Sequence, residues 1–507
     1  MLHPDPNQVL DELCDPNIVI TESTLKYYLG RVAGLTALHR TEIAALLPSK
    51  DLSPFLAALR RLATIQDVVA ICETFKILFG AMSPHLVYSK YWRTLAEALG
   101  DGFAQQSLSV TLEQLQRISK DSKACAELAN NEELLGLIID RIDSAVDSSL
   151  AMDILVRVAC ENPSAHKTLF TGELAKRFSA VQGKDSICRL RVFEVYCRIA
   201  IHSEETANRS APQISQVITS FKEEHRDVLV QLNYIELLTV LVSNKNTVKF
   251  VVDSGVIAHL EALLLDTNSR TSAHTMPGVC EFFGRFGENN PKLMCDEYVD
   301  ILKIMLDLTN DPDLQSLAVS NLGLIGRTHE GKRCLNRTLR SEMMVLMKSI
   351  GSTLVKPEQT HKKEAALSAL AHLMEVEDVE QEDLMSVTHS WFSMASEKPL
   401  HALWNCAKSP CPEVELLALS ALRNIALLSW GRDALLEECA GFFEWILHRD
   451  PSANKEQMDA KFGVIAALVE DANRINNLEK RAALRAHFNE GPYTSASTVR
   501  VSSDQQA

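Results

Sequence analysis

Apolar residues recur three and four positions apart in short segments along the whole chain, and this periodicity predicts amphipathic α-helices. Two segments, residues 312–322 and 412–422, align without a gap, and the match continues to Gly331 and Gly431. In the first segment and its continuation, the apolar positions share one helix face, which is formed by Leu314, Leu317, Ala318, Leu322 and Ile325. Two matching helices 100 residues apart indicate a repeated unit.

The same kind of apolar helix end recurs at intervals of about 40 to 45 residues, with two longer intervals near 50. These helix ends, called the anchor residues below, are Leu78, Ile118, Val158, Ile199, Leu241, Phe286, Ile325, Leu373 and Ile425. The interval is typical of armadillo and HEAT repeats, in which each helical hairpin buries its apolar face only by stacking on its neighbours. The sequence therefore predicts an all-α fold, an armadillo/HEAT-like helical-repeat solenoid that forms a curved superhelix of roughly ten units.

Small polar residues followed by proline are predicted to mark the beginnings of these helices. A Ser, Asp or Asn side chain caps free N–H groups of the first turn, and proline loses nothing in the next position because its missing N–H would be unpaired there. The examples are Ser53-Pro54, Ser83-Pro84, Asn162-Pro163, Asn290-Pro291, Asp311-Pro312 and Asp450-Pro451.

The repeats are expected to form a single domain over residues 1–493, followed by a disordered tail. Residues 494–507 are rich in Ser and poor in apolar side chains, so they cannot build a core. An acidic run crosses a predicted loop between two repeats, and we favour a solvated turn over an acidic binding patch. The run consists of Glu375, Glu377, Asp378, Glu380, Glu382 and Asp383.

Composition and charge narrow the classes of function. The 507-residue chain is 46% hydrophobic and 23% charged, and its formal net charge is −15 without a Lys/Arg-rich block, which argues against nucleic acid as the partner. We expect no membrane span, because no run of about 18 apolar residues occurs, and no secretory signal at the N-terminus. The 12 cysteines are scattered without a C-x-x-C pair. This pattern favours a reduced, cytoplasmic protein, with the nucleus left open as a second location.

Candidate chemistry is sparse. Residues 326–332 fit G-x-x-x-x-G-K, but Arg333 stands where a phosphate loop needs Ser or Thr, and an amphipathic helix stands where it needs a strand. Gly331 is interpreted instead as the turn between two repeat helices. Cys406 is interpreted as a core cysteine, because nothing orients nearby His401 for catalysis. The sequence therefore predicts no catalytic residue, no metal and no cofactor, and it favours a protein that is not an enzyme and works by binding.

Several segments carry a resemblance to one family. They are residues 276–284, 330–332, 389–393, 441–446 and 490–493, with the sequences MPGVCEFFG, EGK, HSWFS, GFFEWI and EGPY. In this order they resemble the 26S proteasome non-ATPase regulatory subunit 5 family, whose members are assembly chaperones of the proteasome base. The resemblance extends over most of the chain and is strongest beyond about residue 100, whereas the first 45 or so residues match poorly.

The resemblance implies a specific role and specific partners. A curved helical rod would bind the C-terminal domain of an AAA-type ATPase, regulatory subunit 7, in a precursor that also contains ATPase regulatory subunit 4 and non-ATPase subunit 2. The rod would block premature docking of the ATPase on the 20S core and then leave, and by itself it would be a monomer. Within the family-like segment, Phe282, Phe283 and Phe286 are expected to pack between helices. Glu281 and Arg285 lie one turn apart and are the candidate partner-binding residues, although they could equally form an i,i+4 ion pair.

Two other classes of function stay open. One is an armadillo-type transport or signalling scaffold, but importin-like carriers read basic cargo with Trp and Asn four residues apart, and none of the five tryptophans here has Asn at that spacing. The other is an enzyme with an unrecognised site, which would need convergent polar residues in a deep pocket.

Overall fold

The computed structural model describes residues 5–38, 40–60, 67–100, 105–224, 227–265, 270–356, 360–376, 381–450 and 452–493. Within these ranges the secondary structure is helical and contains no β-strand, so the predicted all-α class is confirmed. The chain divides into two compact units, Met1–Leu237 and Leu238–Ala507. The single domain over 1–493 stays a prediction, and the tail predicted for 494–507 lies outside the described residues.

The helices of the first unit are short to medium in length. They are α1 (Pro6–Leu13), α2 (Glu22–Leu38), α3 (Arg40–Leu46), α4 (Ser53–Arg60), α5 (Asp67–Gly80), α6 (Pro84–Leu99), α7 (Gln105–Ser119), α8 (Ser122–Leu128), α9 (Glu132–Asp140), α10 (Ser148–Glu161), α11 (Pro163–Leu169), α12 (Gly172–Gln182), α13 (Ser186–Ala200), α14 (Glu204–Arg209), α15 (Ala211–Glu223) and α16 (Val228–Val242). The boundary between the units falls within α16. Two 3-10 turns cover Leu47–Ser49 and Arg141–Asp143.

The second unit continues with helices of similar length. They are α17 (Val248–Asp253), α18 (Val256–Leu265), α19 (Arg270–Asn289), α20 (Pro291–Glu297), α21 (Val299–Asp307), α22 (Gln315–Ile325), α23 (His329–Thr338), α24 (Arg340–Val355), α25 (Thr360–Met374), α26 (Glu382–Met394), α27 (Pro399–Cys406), α28 (Pro412–Leu427), α29 (Ser429–Glu437), α30 (Phe442–Leu447), α31 (Lys455–Glu470) and α32 (Leu478–Glu490). Two further 3-10 turns cover Leu308–Asn310 and Ala472–Arg474.

Every anchor residue lies near the end of one helix in each repeat and is at most 1% exposed, as the sequence predicted. In the second unit, α19, α22, α25, α28 and α31 pack side by side in one layer, and they are called the layer helices below. In the first unit, α5, α7, α10 and α13 pack on one another in the same way. Each repeat of the second unit adds two further helices between successive layer helices, so the apolar seam is buried from both sides.

A helix begins at four of the six proline dipeptides, as predicted, but only Ser83 caps its helix with the side chain, and Asn162 and Asn290 make no such bond. Helices begin at Ser53, Pro84, Pro163 and Pro291, and Ser83 Oγ accepts a hydrogen bond from Leu86 N at 3.3 Å. The prediction is wrong at Asp311, because its carboxylate accepts from the N–H groups of residues 313 and 314 and closes a turn, so α22 begins only at Gln315. Pro451 lies outside the described residues, and α31 begins after an Asn454 cap.

Small residues allow the layer helices to approach each other closely. A Cβ placed on Gly323 of α22 would lie 2.4 Å from the backbone Cα of Ala369 in α25, and one on Gly287 of α19 would lie 2.7 Å from the Ile325 side chain. Neither contact leaves room for a methyl group, because core packing is already close to its limit. The spacing of this layer is therefore set by glycine at the helix contacts.

Two buried cations join the helix ends of the second unit. Lys332 is fully buried, and its Nζ donates to the carbonyls of Gly326, Arg327 and His372 at 2.8, 2.7 and 3.2 Å. These carbonyls are at or near the C-terminal ends of α22 and α25, where helices leave acceptors unpaired. Arg432 stands 100 residues further on at 2% exposure, close to Asp471.

The lysine of the G-x-x-x-x-G-K match is therefore a structural residue. Gly331 is also not the turn that the sequence suggested, because it lies in the first turn of α23, where its N–H is capped by Thr328 Oγ1 at 3.0 Å. A Cβ on Gly331 would lie 2.0 Å from the Ile325 carbonyl oxygen. Only glycine fits at this position, because α23 begins so close to the end of α22.

Candidate partner-binding surface

One face of the layer helices carries side chains that the repeats do not bury. The residue five positions before the anchor is exposed or half-buried in four successive layer helices, and these residues are Glu281, Ser320, Ser368 and Ser420. The surface on which they lie, from α19 to α31, is called the layer face below. A face of this extent is the surface that a helical-repeat protein offers to a folded partner.

Both predicted partner-binding residues lie on α19. Glu281 is exposed, whereas Arg285 is half-buried and donates from Nη1 to Glu288 Oε2 at 3.1 Å. The i,i+4 interpretation is therefore replaced by an i,i+3 contact of Arg285 with Glu288. Phe282 and the two other phenylalanines of this segment are fully buried, as predicted.

An ion-pair network extends from Arg285 along the C-terminal ends of three layer helices. Glu288, whose side chain is only 12% exposed, also accepts from Arg327 Nη1 at 3.4 Å, and Arg327 Nε donates to Glu375 Oε2 at 3.0 Å. The Glu375 carboxylate raises the pKa of Arg327 through this bond. Sequence reasoning missed the network, although Glu288, Arg327 and Glu375 all stand two positions after an anchor residue. That shared register is the signal that could have revealed it.

The acidic run is partly used in structural contacts. Besides Glu375, Asp383 Oδ2 accepts from Arg333 Nε at 2.7 Å, and this contact lowers the pKa of the Asp383 carboxyl. Glu382 is exposed in the first turn of α26, and the acids at 377, 378 and 380 lie outside the described residues. The two ends of the run therefore form ion pairs with arginines of the preceding repeat.

A groove of about 600 Å³ opens at the other end of the layer face, between α28 and α31. Its lining includes Leu416 and Leu427 on α28, Val469 on α31 and Phe488 on α32, which is 39% exposed and stacks on Phe462 at 5.4 Å. Small residues of α31 complete the lining, and they are Ala460, Gly463, Ala466 and Ala467.

Charged groups also line this groove. Asp459 and Glu470 supply carboxylates, and Arg423 supplies one guanidinium. Tyr493 OH donates to Asp459 Oδ1 at 2.6 Å and fixes that carboxylate in place. The combination suits an apolar segment that carries basic side chains at its margins. Sequence reasoning missed this site, although small residues three and four apart on one helix are a usable signal.

The described residues offer little for catalysis. They contain no group of three or more His, Cys, Asp or Glu side chains placed to hold a metal ion. Cys406 is buried, its Sγ lies 3.6 Å from the Leu354 carbonyl oxygen, and burial raises its pKa, while His401 lies against the Trp404 ring. Within the described ranges no single helix is long and apolar enough to span a membrane. Helices α28 and α29 reach that length and apolar character only when they are taken together, and the chain bends by 110° between them.

The stacked anchors, the layer helices and the exposed layer face define a helical-repeat protein of the armadillo/HEAT class. Among solved structures, importin beta is similar in fold, with a TM-score of 0.56 at 12% identity over 95% of this chain and 64% of that chain. A designed armadillo repeat protein also matches, with a TM-score of 0.37 at 15% identity over 50% of this chain and 99% of that chain. The likeness to importin beta concerns the fold alone.

The family follows from the sequence comparisons. The family described as proteasome non-ATPase 26S subunit matches residues 34–507, so the chain belongs to that family. The bovine (Bos taurus) 26S proteasome non-ATPase regulatory subunit 5 is 29% identical over 394 residues, which cover 76% of this chain and 77% of the bovine protein. The human (Homo sapiens) protein of the same name is 28% identical over 395 residues, with the same coverage. The resemblance found in the sequence is thereby confirmed, and the role of the chain is related to the proteasome.

Proposed function

We propose that this protein is a chaperone for assembly of the base of the 19S regulatory particle. It binds the C-terminal domain of ATPase regulatory subunit 7 with its layer face, in a precursor that also holds ATPase regulatory subunit 4 and non-ATPase subunit 2. It acts by binding and not by catalysis, is a monomer by itself, and works in the cytoplasm with the nucleus as a second location. Family membership supports the link to the proteasome, and the layer face is the observation that carries the binding mode.

The layer face combines features that suit a folded client. Glu281 and the ion-pair network present charge at α19, serines occupy the equivalent positions of the middle helices, and the groove offers an apolar recess at α31. Apolar contact in the groove would supply most of the affinity, and the charges would fix orientation, because exposed ion pairs contribute little by themselves.

The proposed mechanism is steric. The protein bound to the C-terminal domain would overlap the 20S core when the ATPase tail docks, so docking would require the chaperone to leave. Release follows if ring closure favours an ATPase state that the layer face cannot bind. The likeness to importin beta gives no specific support for the transport alternative, since at 12% identity it concerns the fold alone.

A binding titration with the purified C-terminal domain of ATPase regulatory subunit 7 tests the proposal. Glu281→Lys reverses an exposed charge on α19, and Gly463→Leu fills the groove, where the nearest side-chain atom to a new Cβ is Arg423 Cδ at 3.6 Å. We expect each variant to weaken binding about tenfold, which is about 1.4 kcal/mol. Asp300→Lys on α21 is the control, because Asp300 is exposed and lies outside the layer helices.

The outcome that contradicts the proposal is equally defined. If both variants fold and bind the ATPase domain as tightly as the wild type does, the layer face is not the binding surface. If the wild type leaves association of the ATPase precursor with purified 20S core unchanged, the steric mechanism is wrong even where binding is confirmed.

A further inference from the structure

The first unit carries a row of exposed aliphatic side chains that the repeat does not require. Val146, Ile187 and Leu229 are 62%, 60% and 71% exposed, and each stands twelve positions before an anchor residue. The equivalent residues of the other repeats are all polar, and they are Gln66, Gln106, His274, Asp313, His361 and Glu413. Packing therefore does not call for an aliphatic residue at this position. The three residues are called the aliphatic row below.

The aliphatic row lies along one end of three neighbouring helices. Val146 is in the turn that leads into α10, and Ile187 and Leu229 are the second residues of α13 and α16. Helix α10 packs along α13, and Phe193 of α13 contacts the ring of Tyr234 in α16 at a centroid distance of 5.9 Å. Packed helices are roughly 8–10 Å apart, so Val146 and Ile187 are about 10 Å apart, and Leu229 extends the row beyond Ile187.

The exposed area decides what kind of partner the row can hold. Three aliphatic side chains at these exposures present on the order of 300 Å², whereas a stable dimer of two folded chains needs about 800 Å² from each. A second copy of this chain would therefore gain too little from the row. One helix of a partner is of the right size, since residues seven apart on one face of an α-helix are separated by about 10.5 Å.

Charges beside the row indicate what the partner helix carries. Exposed Asp185 accepts from Cys188 N at 2.7 Å, and exposed Asp227 accepts from Leu229 N at 2.9 Å, so both carboxylates are held at the starts of α13 and α16. The nearby Lys184 is already paired with Asp143. Arg191 donates to the carbonyls of residues 142 and 144 at 3.0 and 2.9 Å. Both exposed carboxylates can attract basic side chains of a partner.

We propose that the aliphatic row binds an amphipathic helix of a partner protein, which has an aliphatic residue at every seventh position and Lys or Arg between them. The helix lies across the starts of α10, α13 and α16, with its aliphatic residues against Val146, Ile187 and Leu229 and its basic residues near Asp185 and Asp227. This interaction lies in the first unit and does not depend on the layer face of the second unit.

The test uses the full chain and a defined probe. The probe is a fluorescein-labelled, hydrocarbon-stapled 18-residue helix with leucine at every seventh position and lysine between them, and its binding is followed by fluorescence anisotropy. We expect saturable binding, and we expect the triple variant Val146→Ser, Ile187→Ser, Leu229→Ser to bind at least about tenfold more weakly. Val345→Ser on α24, at a residue 49% exposed in the second unit, is the matched control and should bind as the wild type does.

A second variant separates charge from packing. Asp185→Asn with Asp227→Asn keeps good helix caps but removes both charges, so we expect weaker binding and a smaller dependence on salt. Three results would overturn the proposal. The first is that the wild type shows no saturable binding of the probe below about 100 µM. The second is that the folded triple variant binds the probe as tightly as the wild type does. The third is that the wild type sediments as a dimer and the triple variant as a monomer, which would assign the row to a second copy of this chain.

Discussion

Replacing Lys332 with methionine removes a buried cation from the ends of two neighbouring layer helices. The Lys332 ammonium donates to three carbonyls, at 2.8 Å on Gly326, 2.7 Å on Arg327 and 3.2 Å on His372. Hydrogen bonds from a charged donor contribute about 1.5–3 kcal/mol each, and burying the ammonium costs several kcal/mol in the opposite direction. Methionine fills a similar volume but leaves these acceptors without this donor, so we expect a net loss of about 3 kcal/mol.

Amide hydrogen exchange is the suitable assay, because two compact units make a single unfolding free energy ill-defined. A loss of about 3 kcal/mol corresponds to exchange roughly a hundredfold faster in α22 and α25, while amides of the first unit should not change. Lys292→Met is the control, since Lys292 is 72% exposed and forms a surface pair with Glu330, and it should leave exchange unchanged. Less than a twofold change for Lys332→Met would show that desolvation of the ammonium cancels its hydrogen bonds, and the reasoning would be wrong.

Three further predictions concern packing, pH and thiol chemistry. Gly323→Ala should destabilise the second unit by about 1–3 kcal/mol, because the new Cβ would lie 2.4 Å from the α25 backbone. Gly463→Ala is the control and should not destabilise it, because the nearest atom to its Cβ is 3.6 Å away. Thermal melts of the two variants make the comparison. Burial lowers the pKa of His166, so the unfolded chain takes up the proton first, and stability present above about pH 6.5 should be lost as the pH falls below it. Denaturant titrations at several pH values should show that His166→Gln loses less stability at low pH than the wild type does. Burial raises the pKa of Cys280 to about 12, so its thiol is almost fully protonated at pH 8. Iodoacetamide should therefore modify the half-buried Cys411 well before Cys280, and peptide mass spectrometry would measure the two rates. Equal rates would contradict this prediction.

The repeat architecture could be predicted because each repeat buries the same position. The anchor residues, from Leu78 to Ile425, were found by their apolar periodicity alone, and all of them are at most 1% exposed at the ends of the expected helices. Helix beginnings were less predictable. Asp311 has the same dipeptide as a true cap, but its carboxylate closes a turn before the helix, and no local pattern separates the two cases.

The candidate surface was predictable only in part, because its contacts join residues far apart in sequence. Glu281 and Arg285 were placed correctly on one helix, yet Arg285 contacts Glu288, and Glu288 in turn contacts Arg327 of the next repeat. The groove depends on Phe488 of α32 meeting α28 and α31, which requires the fold to be known. Periodicity shows which side chains are buried, but it does not show which exposed side chains meet.

Departures from the repeat are therefore the better guide to function in this chain. A residue shared by all repeats at one register, such as an anchor, is explained by packing. Five positions before the anchor, each of the first six repeats has an acid, from Glu73 to Glu281, and the last three repeats have serine, so Glu281 follows the repeat pattern. At twelve positions before the anchor, aliphatic residues replace polar ones only in the three repeats of the aliphatic row, which begins at Val146. This departure does not fill the core, because the three side chains are 60% or more exposed, so a partner of the first unit explains it better than packing does.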